Sequence, residues 1–356
     1  MKILFDAQIF LNQKAGGISR YYFELLKGMQ TLAEEVCISG KFIKNQYLLA
    51  DETYRNHFFY DPTASFALFN KWVIQRTVEK GRYDIFHPSD AHSFIEKSIP
   101  TGKNLVFTIH DMILEKYFNE KLPVKQAFAQ RANKIIAVSE TTKNDIVEVL
   151  GIEKHRIEVV YHGSSLHPDS ALRPPSGLPG NYILQVGERQ GYKNFDMAVR
   201  AIAPLLHKHS DVYLACAGRR PFSKSEQFLL KSLNIDKKVF MYLQASDNTL
   251  AALYSNAAVF IFPSLYEGFG IPVLESWACG APVVLSDISC FREIAGDAGH
   301  YFDPRDKDSI TAAVEEVLMH PTLQNDLRNK GRERLSHFSW EHAVQQTNNI
   351  YKSLIQ

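Results

Sequence analysis

The stretch "AVFIFPSLYEGFGIPVLESWACGAPVVLSD", residues 258 to 287, decides how this chain is read. Two strand-like runs, AVFIFPS and APVVLSD, enclose glycines, a proline and two carboxylates, Glu267 and Glu275, which are out of place in an apolar core. Pro272 suits the first turn of a helix, where its missing N–H costs nothing, and Gly280 suits a helix's C-terminal stop. PVLESWAC therefore reads as a short helix between two strands. Gly268 and Gly270 leave backbone amides bare and let a ligand approach closely. Bare amides and a helix dipole together form an anion site, the usual seat of a phosphate. Glu267, at the strand end, is an acceptor for hydroxyls. Glu275, about one turn into the helix, either reaches hydroxyls from the other side or complements the dipole; the residues alone leave both open.

The same alternation runs along the whole chain. Strands are expected at 2–5, 84–87, 105–109, 134–138, 157–161, 182–186, 212–217, 239–242, 259–262 and 282–286, with amphipathic helical segments between them. Strands separated by helices of that length imply parallel sheets covered on both faces. At 356 residues the chain is too long for one ordinary core. The segment HPDSALRPPSGLPGN lacks periodicity and is rich in Pro, Gly and Ser, so it reads as a linker. The fold class is α/β, two Rossmann-like doubly wound domains facing a central cleft: 1–166, a linker at 167–179, and 180–338.

Formal net charge is +1, which argues against a nucleic-acid surface. Cys37, Cys216, Cys279 and Cys290 are scattered without zinc-like spacing and fit a reducing compartment. MKILFDAQIF resembles the start of a signal peptide, but Asp6 interrupts the apolar run and no small-residue cleavage site follows, so a first strand is the reading. No apolar run reaches the ~18 residues of a membrane span. The expectation is a cytoplasmic protein. FALFNKWVIQRTVEK (66–80) interleaves aromatics with Lys and Arg; it is either a core stripe or a surface that rests on anionic lipid or holds a lipid-linked ligand, a peripheral seat at the inner membrane face.

In doubly wound sheets, ligands bind beyond the carboxyl ends of the strands. Polar and glycine-rich residues collect there: Gly16 and Gly17 after the first strand, His110 and Asp111 after LVFTI, Ser139 and Glu140 after KIIAV, GERQGYKN after YILQV, and Gly218, Arg219 and Arg220 after VYLACA. His87, His92 and His162 also lie near strand ends, open between structural and ligand-side roles. A dinucleotide fold would want G-x-G-x-x-G directly after the first strand, and a P-loop G-x-x-x-x-G-K-[ST]; neither is present. DKD at 306–308 precedes a helical segment and reads as N-terminal capping, not as a metal-binding Asp-x-Asp. No metal and no cofactor are expected.

The E-G-F-G-x-P-x-x-E pattern from Glu267 to Glu275 resembles the signature of retaining glycosyltransferases of the GT-B fold, family 4 (glycosyltransferase group 1). YILQVGERQGYKN, AVSETTKNDI, FTIHD, AGGISRY and the closing FSWEHAVQQTNNIYKSL extend the likeness over most of the chain. The resemblance implies that the C-terminal domain holds a nucleotide-sugar donor, a substrate and not a cofactor. The N-terminal domain would hold a saccharide or lipid-linked acceptor, and a last helix, 339–356, would cross back to it. Glu267, with the amides of Gly268, Phe269 and Gly270, would hold donor-sugar hydroxyls, and Glu275 the ribose. Lys193 would contact the diphosphate, offering positive charge to a leaving group that gains negative charge. The family usually places an Arg directly after the glycine matching Gly187; this chain has Glu188 there, and Arg189 is expected to take the role. His110 would contact the sugar near the reacting carbon, and Gly16 and Gly17 would flank the diphosphate. Asp111, Ser139, Glu140 and Glu293 match family positions with weaker roles, and Arg219 is a candidate phosphate or acceptor contact. The expected reaction moves a hexose, GDP- or UDP-linked, as in bacterial surface polysaccharide synthesis. A sugar-nucleotide epimerase or a non-catalytic sugar-binding protein are the alternatives.

Overall fold

The computed structural model describes residues 1–120, 122–166 and 177–355; positions 167–176 of the expected linker lie outside the described residues. Two compact units divide the chain, residues 1–162 with 340–356 and residues 163–339.

The first unit contains β1 (Lys2–Asp6), β2 (Glu35–Ser39), β3 (Phe42–Ile43), β4 (Phe59–Tyr60), β5 (Ile85–His87), β6 (Asn104–Ile109), β7 (Lys134–Ala137) and β8 (Ile157–Val159). Six of them form one parallel sheet in the order β2-β1-β5-β6-β7-β8, and β3 pairs with β4 apart from it. The pleat sorts alternate residues into two cores. Ile3, Phe5, Ile85, Val106 and Ile136 enter one core, whereas Leu4, Phe86, Leu105, Phe107 and Ile135 enter the other. Because both faces are buried, these strands are apolar at most positions, with buried polar residues such as His87 and Thr108 bonded to each other.

Helices Gly17–Thr31 and Trp340–Lys352 close the first core, meeting so tightly that a Cβ on Gly28 would collide with Val344. The closing helix thus packs within the first unit. Helices Ala67–Glu79, Pro123–Arg131 and Glu140–Leu150 cover the second core through Ile74, Val78, Phe128 and Ile146.

The second unit contains β9 (Tyr182–Val186), β10 (Tyr213–Gly218), β11 (Val239–Leu243), β12 (Val259–Phe262), β13 (Val283–Ser286) and β14 (His300–Phe302), all parallel in the order β11-β10-β9-β12-β13-β14. One of its cores joins Ile183, Leu214, Val259, Ile261 and Val284 to helices Phe195–Lys208 and Lys307–Met319. Asp306 caps the latter helix by accepting from Asp308 N–H at 2.9 Å. In each sheet the order reverses once, between β1 and β5 and between β9 and β12. In the first unit one carboxylate spans that reversal. Asp6, fully buried, accepts from the Ser89 amide at 2.9 Å and the Ser89 hydroxyl at 2.6 Å.

Three histidines sit inside the first unit. His87 bonds the Tyr351 hydroxyl through Nδ1 at 2.5 Å and the Thr108 hydroxyl through Nε2 at 2.8 Å, tying the closing helix to β6. His110 and His162 pack against the Tyr21 ring at 4.9 and 5.0 Å. Burial pushes the imidazole pKa of His87 and of His110 down to about 3, and that of His162 well below its usual value. All three are therefore neutral when folded. Below the unfolded value of 6.5 the unfolded chain takes up protons that the folded chain refuses, so stability falls as pH falls from there toward 3. Between pH 6.5 and 5 each of His87 and His110 should cost about 2 kcal/mol. Urea unfolding at pH 7.5 and 5.0, followed by the near-ultraviolet signal, should show that loss; equal midpoints would contradict it.

Candidate functional site

The reversal of strand order in the second unit sets where its two chemistry-bearing loops emerge. β9 lies between β10 and β12, so the loops leaving the carboxyl ends of β9 and β12 stand side by side with no crossover between them. After β9 the backbone turns at Gly187, whose φ of +111° favours glycine, and then forms a tight turn at Gly191–Lys193. The Leu265 amide donates to the Tyr192 carbonyl at 2.7 Å, which stitches this loop to the one after β12.

Across that stitch Lys193 Nζ donates to Glu267 Oε1 at 2.6 Å. Both side chains are largely buried, 17% and 10% exposed. The ammonium also lies 4.9 Å from the Tyr192 ring centroid and 5.5 Å from that of Phe262. Burial acts to lower the Lys193 pKa, but the Glu267 charge and Tyr192 outweigh it, so the net shift is upward. Lys193 is thus a fixed cation at any physiological pH.

Gly270 adopts φ +99° and opens the helix Ile271–Ala278, with Pro272 in its first turn. From this helix Glu275 Oε2 accepts from the Tyr254 hydroxyl at 3.2 Å. Burial raises the Tyr254 pKa well above the usual phenol value, so it stays a donor. Lys193 and Glu267 thus meet between two neighbouring loops, and Glu275 lies on the helix that the second of these loops opens.

Several expected residues are committed elsewhere. Arg189 is the main correction. Its guanidinium is buried; Nε donates to Glu226 Oε1 at 2.7 Å, and Nη2 donates to the carbonyls of Arg220 and Pro221 at 3.0 and 2.9 Å. A group so engaged is not presented to a phosphate. The Gly187 amide donates to the Ala217 carbonyl at 2.8 Å, tying it to β10. Phe269 packs its ring edge-on against Phe338 at 6.0 Å and is a core side chain. Gly268 lies between Glu267 and Phe269 in the same loop. Arg219 is exposed and pairs with Glu188 at 3.1 Å. Glu293 is half-buried on helix Ser289–Ala295, and its carbonyl accepts from Arg334 at 2.8 Å. A cavity of about 250 Å³ opens beside Arg189, lined by Glu188, Gln190, Arg220 and Phe222; Lys193, Glu267 and Glu275 do not line it.

In the first unit His110 follows β6, and its Nε2 is buried without a hydrogen-bond partner among the described residues. The adjacent Asp111 accepts from the Ile113 amide at 3.0 Å. Ser139 caps the helix Glu140–Leu150 by accepting from the Thr142 amide at 2.9 Å, and Glu140 is exposed in that helix's first turn. Gly16 is extended, and its carbonyl accepts from the Arg20 amide at 2.9 Å where Gly17 begins a helix.

Glu226, Tyr254 and Tyr192 were not singled out from the sequence. Ser223 and Glu226 form a capping box, whose Ser-x-x-Glu spacing was visible; the tyrosines carry no such signal. Among the described residues no helix is long and apolar enough to cross a membrane.

Two family profiles divide the chain. The one described as glycosyl transferases group 1 matches residues 171–334, and the one described as glycosyltransferase family 4 matches residues 15–167. The chain is 27% identical over 278 residues to the O-antigen chain mannosyltransferase B of Escherichia coli, covering 76% of this chain and 66% of that protein. It spans two thirds or less of the length of the first curated relatives it matches. The sucrose-phosphate synthase of Thermosynechococcus elongatus superposes with a TM-score of 0.77 at 19% identity, covering 99% of both chains. HepE of Anabaena, solved with UDP and glucose, superposes at 0.76 and 17% identity, covering 99% of this chain and 100% of that one. At such identities these likenesses speak for the fold alone.

Removing either partner of Arg189–Glu226 leaves the other charged and buried, at a cost of about 3 kcal/mol. Glu226→Gln and Arg189→Met should each lower the urea midpoint accordingly, while nucleoside-diphosphate affinity measured below the transition stays within about threefold. A large affinity loss in an undestabilised Arg189→Met would return that residue to the phosphate.

Proposed function

We infer that this chain, which belongs to the group 1 glycosyltransferases of family 4 and has their GT-B fold, moves a hexose from a nucleotide-diphosphate sugar to a saccharide or lipid-linked saccharide. The Lys193–Glu267 pair, 2.6 Å apart at the point where the strand order of the second unit reverses, carries this reading. A permanently charged lysine meets the diphosphate and stabilises the negative charge that develops on it as the glycosidic bond breaks. Once the diphosphate draws the ammonium, Glu267 is left as a carboxylate that accepts from sugar hydroxyls. Glu275, whose carboxylate is oriented by Tyr254, accepts from the ribose.

The kinship with mannosyltransferases supports a mannose-type donor and a place in surface polysaccharide synthesis. The resemblance to retaining family 4 enzymes implies transfer with retention, and with no side chain assigned as covalent nucleophile the route it implies is front-face attack. The acceptor oxygen forms its bond to the anomeric carbon on the face that the leaving group vacates. The C1–O bonding pair goes to the departing phosphate oxygen, and the acceptor's proton passes to an oxygen of that phosphate. His110, neutral across physiological pH, offers its imidazole to a sugar hydroxyl without adding charge. The reading requires no divalent ion, since Lys193 supplies the charge. An epimerase would instead release altered nucleotide-sugar without an acceptor, and a binding protein would release nothing.

Glu267→Gln should cut transfer by about 100-fold in protein with an unchanged circular dichroism spectrum. Lys193→Ala should weaken nucleoside-diphosphate binding by about 10- to 100-fold in calorimetry. EDTA should leave turnover intact. Near-normal rates in the Gln variant, or an EDTA block reversed by Mn²⁺, would overturn the corresponding assignment.

A further inference from the structure

The first unit carries an apolar surface that its own framework turns outward. Phe59 is 64% exposed, Tyr60 59%, Leu68 82% and Trp72 56%, with Phe66 and Phe69 at 50% and 45%. The rings of Phe59, Phe66, Phe69 and Trp72 form one surface around Phe42. The Phe42 ring stacks on Phe66 with centroids 4.2 Å apart and meets Phe59 and Phe69 at 5.4 and 5.7 Å, and Phe69 reaches Trp72 at 5.9 Å.

The outward orientation is built in. Helix Ala67–Glu79 buries Asn70, Ile74 and Val78. Asn70, fully buried, accepts from the amides of Lys41 and Phe42 at 2.9 and 3.0 Å and donates to the Phe42 carbonyl at 2.6 Å. Asp61, also buried, accepts from the Ser65 and Phe66 amides at 3.1 and 2.9 Å. A surface helix ordinarily shows polar residues to solvent and apolar ones to the core. In this first turn and a half the order is inverted: the amide is inside, while Leu68 and Trp72, one helical turn apart, are outside. Rotating the helix to hide them would break the Asn70 and Asp61 hydrogen bonds.

The charge around this face is mainly positive. Lys41, Arg55, Lys71 and Arg76 are exposed; Asp61 is buried, and the exposed acids Glu52 and Glu79 lie at the segment's two ends, Glu79 3.9 Å from Arg76. Large contiguous apolar patches on a protein surface mark a contact. A rim in which cations outnumber the one exposed acid of the helix, Glu79, favours an anionic one, and aromatic side chains with Lys and Arg are the chemistry of the bilayer interface. We propose that this face seats the protein on the anionic surface of a lipid bilayer. Leu68, Phe69 and Trp72 enter the headgroup region, and Lys41, Arg55, Lys71 and Arg76 lie against lipid phosphates. The inference stands apart from the transfer reaction and survives its failure.

The test is co-sedimentation of the protein with vesicles of phosphatidylcholine containing about one third phosphatidylglycerol, against phosphatidylcholine alone. The wild-type chain should favour the anionic vesicles at least about tenfold, and salt should weaken that preference. Leu68→Ser with Trp72→Ser should lower partitioning at least about tenfold, and Lys71→Glu with Arg76→Glu should erase the lipid preference. All four positions are exposed, so the variants should keep the wild-type circular dichroism. Trp277 and Trp340 are buried, 3% and 8% exposed, so brominated lipid should quench Trp72 selectively. Absence of both quenching and co-sedimentation would overturn the proposal. So would a self-association in sedimentation velocity that Trp72→Ser abolishes without any vesicle binding, which would make a second copy the occupant.

Discussion

The reversal of strand order beside β9 is the constraint from which the candidate site follows. A parallel sheet covered by helices on both faces leaves little room for polar groups along its strands, so most collect at the strand ends. Connections that leave neighbouring strands in opposite directions open a crevice only where the order reverses. Lys193 and Glu267 come from the two loops that border that point. The sheet of the first unit also reverses its order once, beside β1, with a different outcome. There Asp6 spans the reversal and is saturated by Gln8 and Ser89, so its carboxylate fastens the two loops together.

Two ion pairs in the second unit show how geometry separates structure from chemistry. Arg189 and Glu226 are 4% and 7% exposed, and the guanidinium is also tied to two carbonyls and approached by Met241 Sδ at 3.7 Å. Such a pair is satisfied only as it stands, and opening it would strand a charge in the interior. Lys193 and Glu267 retain more exposure, and an ammonium on a flexible stem can exchange one oxygen partner for another without losing its charge. The lysine pair can therefore open toward a ligand at far less cost than the arginine pair.

The legible parts of the fold were those that burial wrote in full. Runs such as YILQV and VFIF belong to strands enclosed on both faces and were readable as unbroken apolar stretches. β2 (EVCIS) and β14 (HYF) are sheet edges with exposed or half-buried positions, and β3 and β4 are two residues each, so no apolar run announced them. The places of Lys193, Glu267 and Glu275 in the fold, in loops beyond β9 and β12 and in a proline-opened helix, were legible because these are local patterns. Arg189 was misread because its partner is 37 residues away, and adjacency in sequence favoured a phosphate over Glu226. The segment 66–80 was ambiguous for a related reason. Its apolar residues lie on both sides of the helix, and periodicity cannot say that Asn70 is the one turned inward.

The histidines of the first unit carry the same logic into the interior. His87 satisfies both ring nitrogens with hydroxyls, and with Tyr351 it fastens the closing helix to the sheet it covers. Either hydroxyl can donate or accept, so it is burial, and not these hydrogen bonds, that holds the ring neutral. His110 shares the enclosed aromatic surroundings of Tyr21 and Tyr22, which depress its basicity in the same way, yet its Nε2 finds no partner among the described residues. A buried nitrogen left without a hydrogen bond is costly, and a packed core would be expected to avoid it. The unmet capacity of His110 at the carboxyl end of β6 contrasts with the fully met capacity of His87 at the end of the neighbouring strand β5.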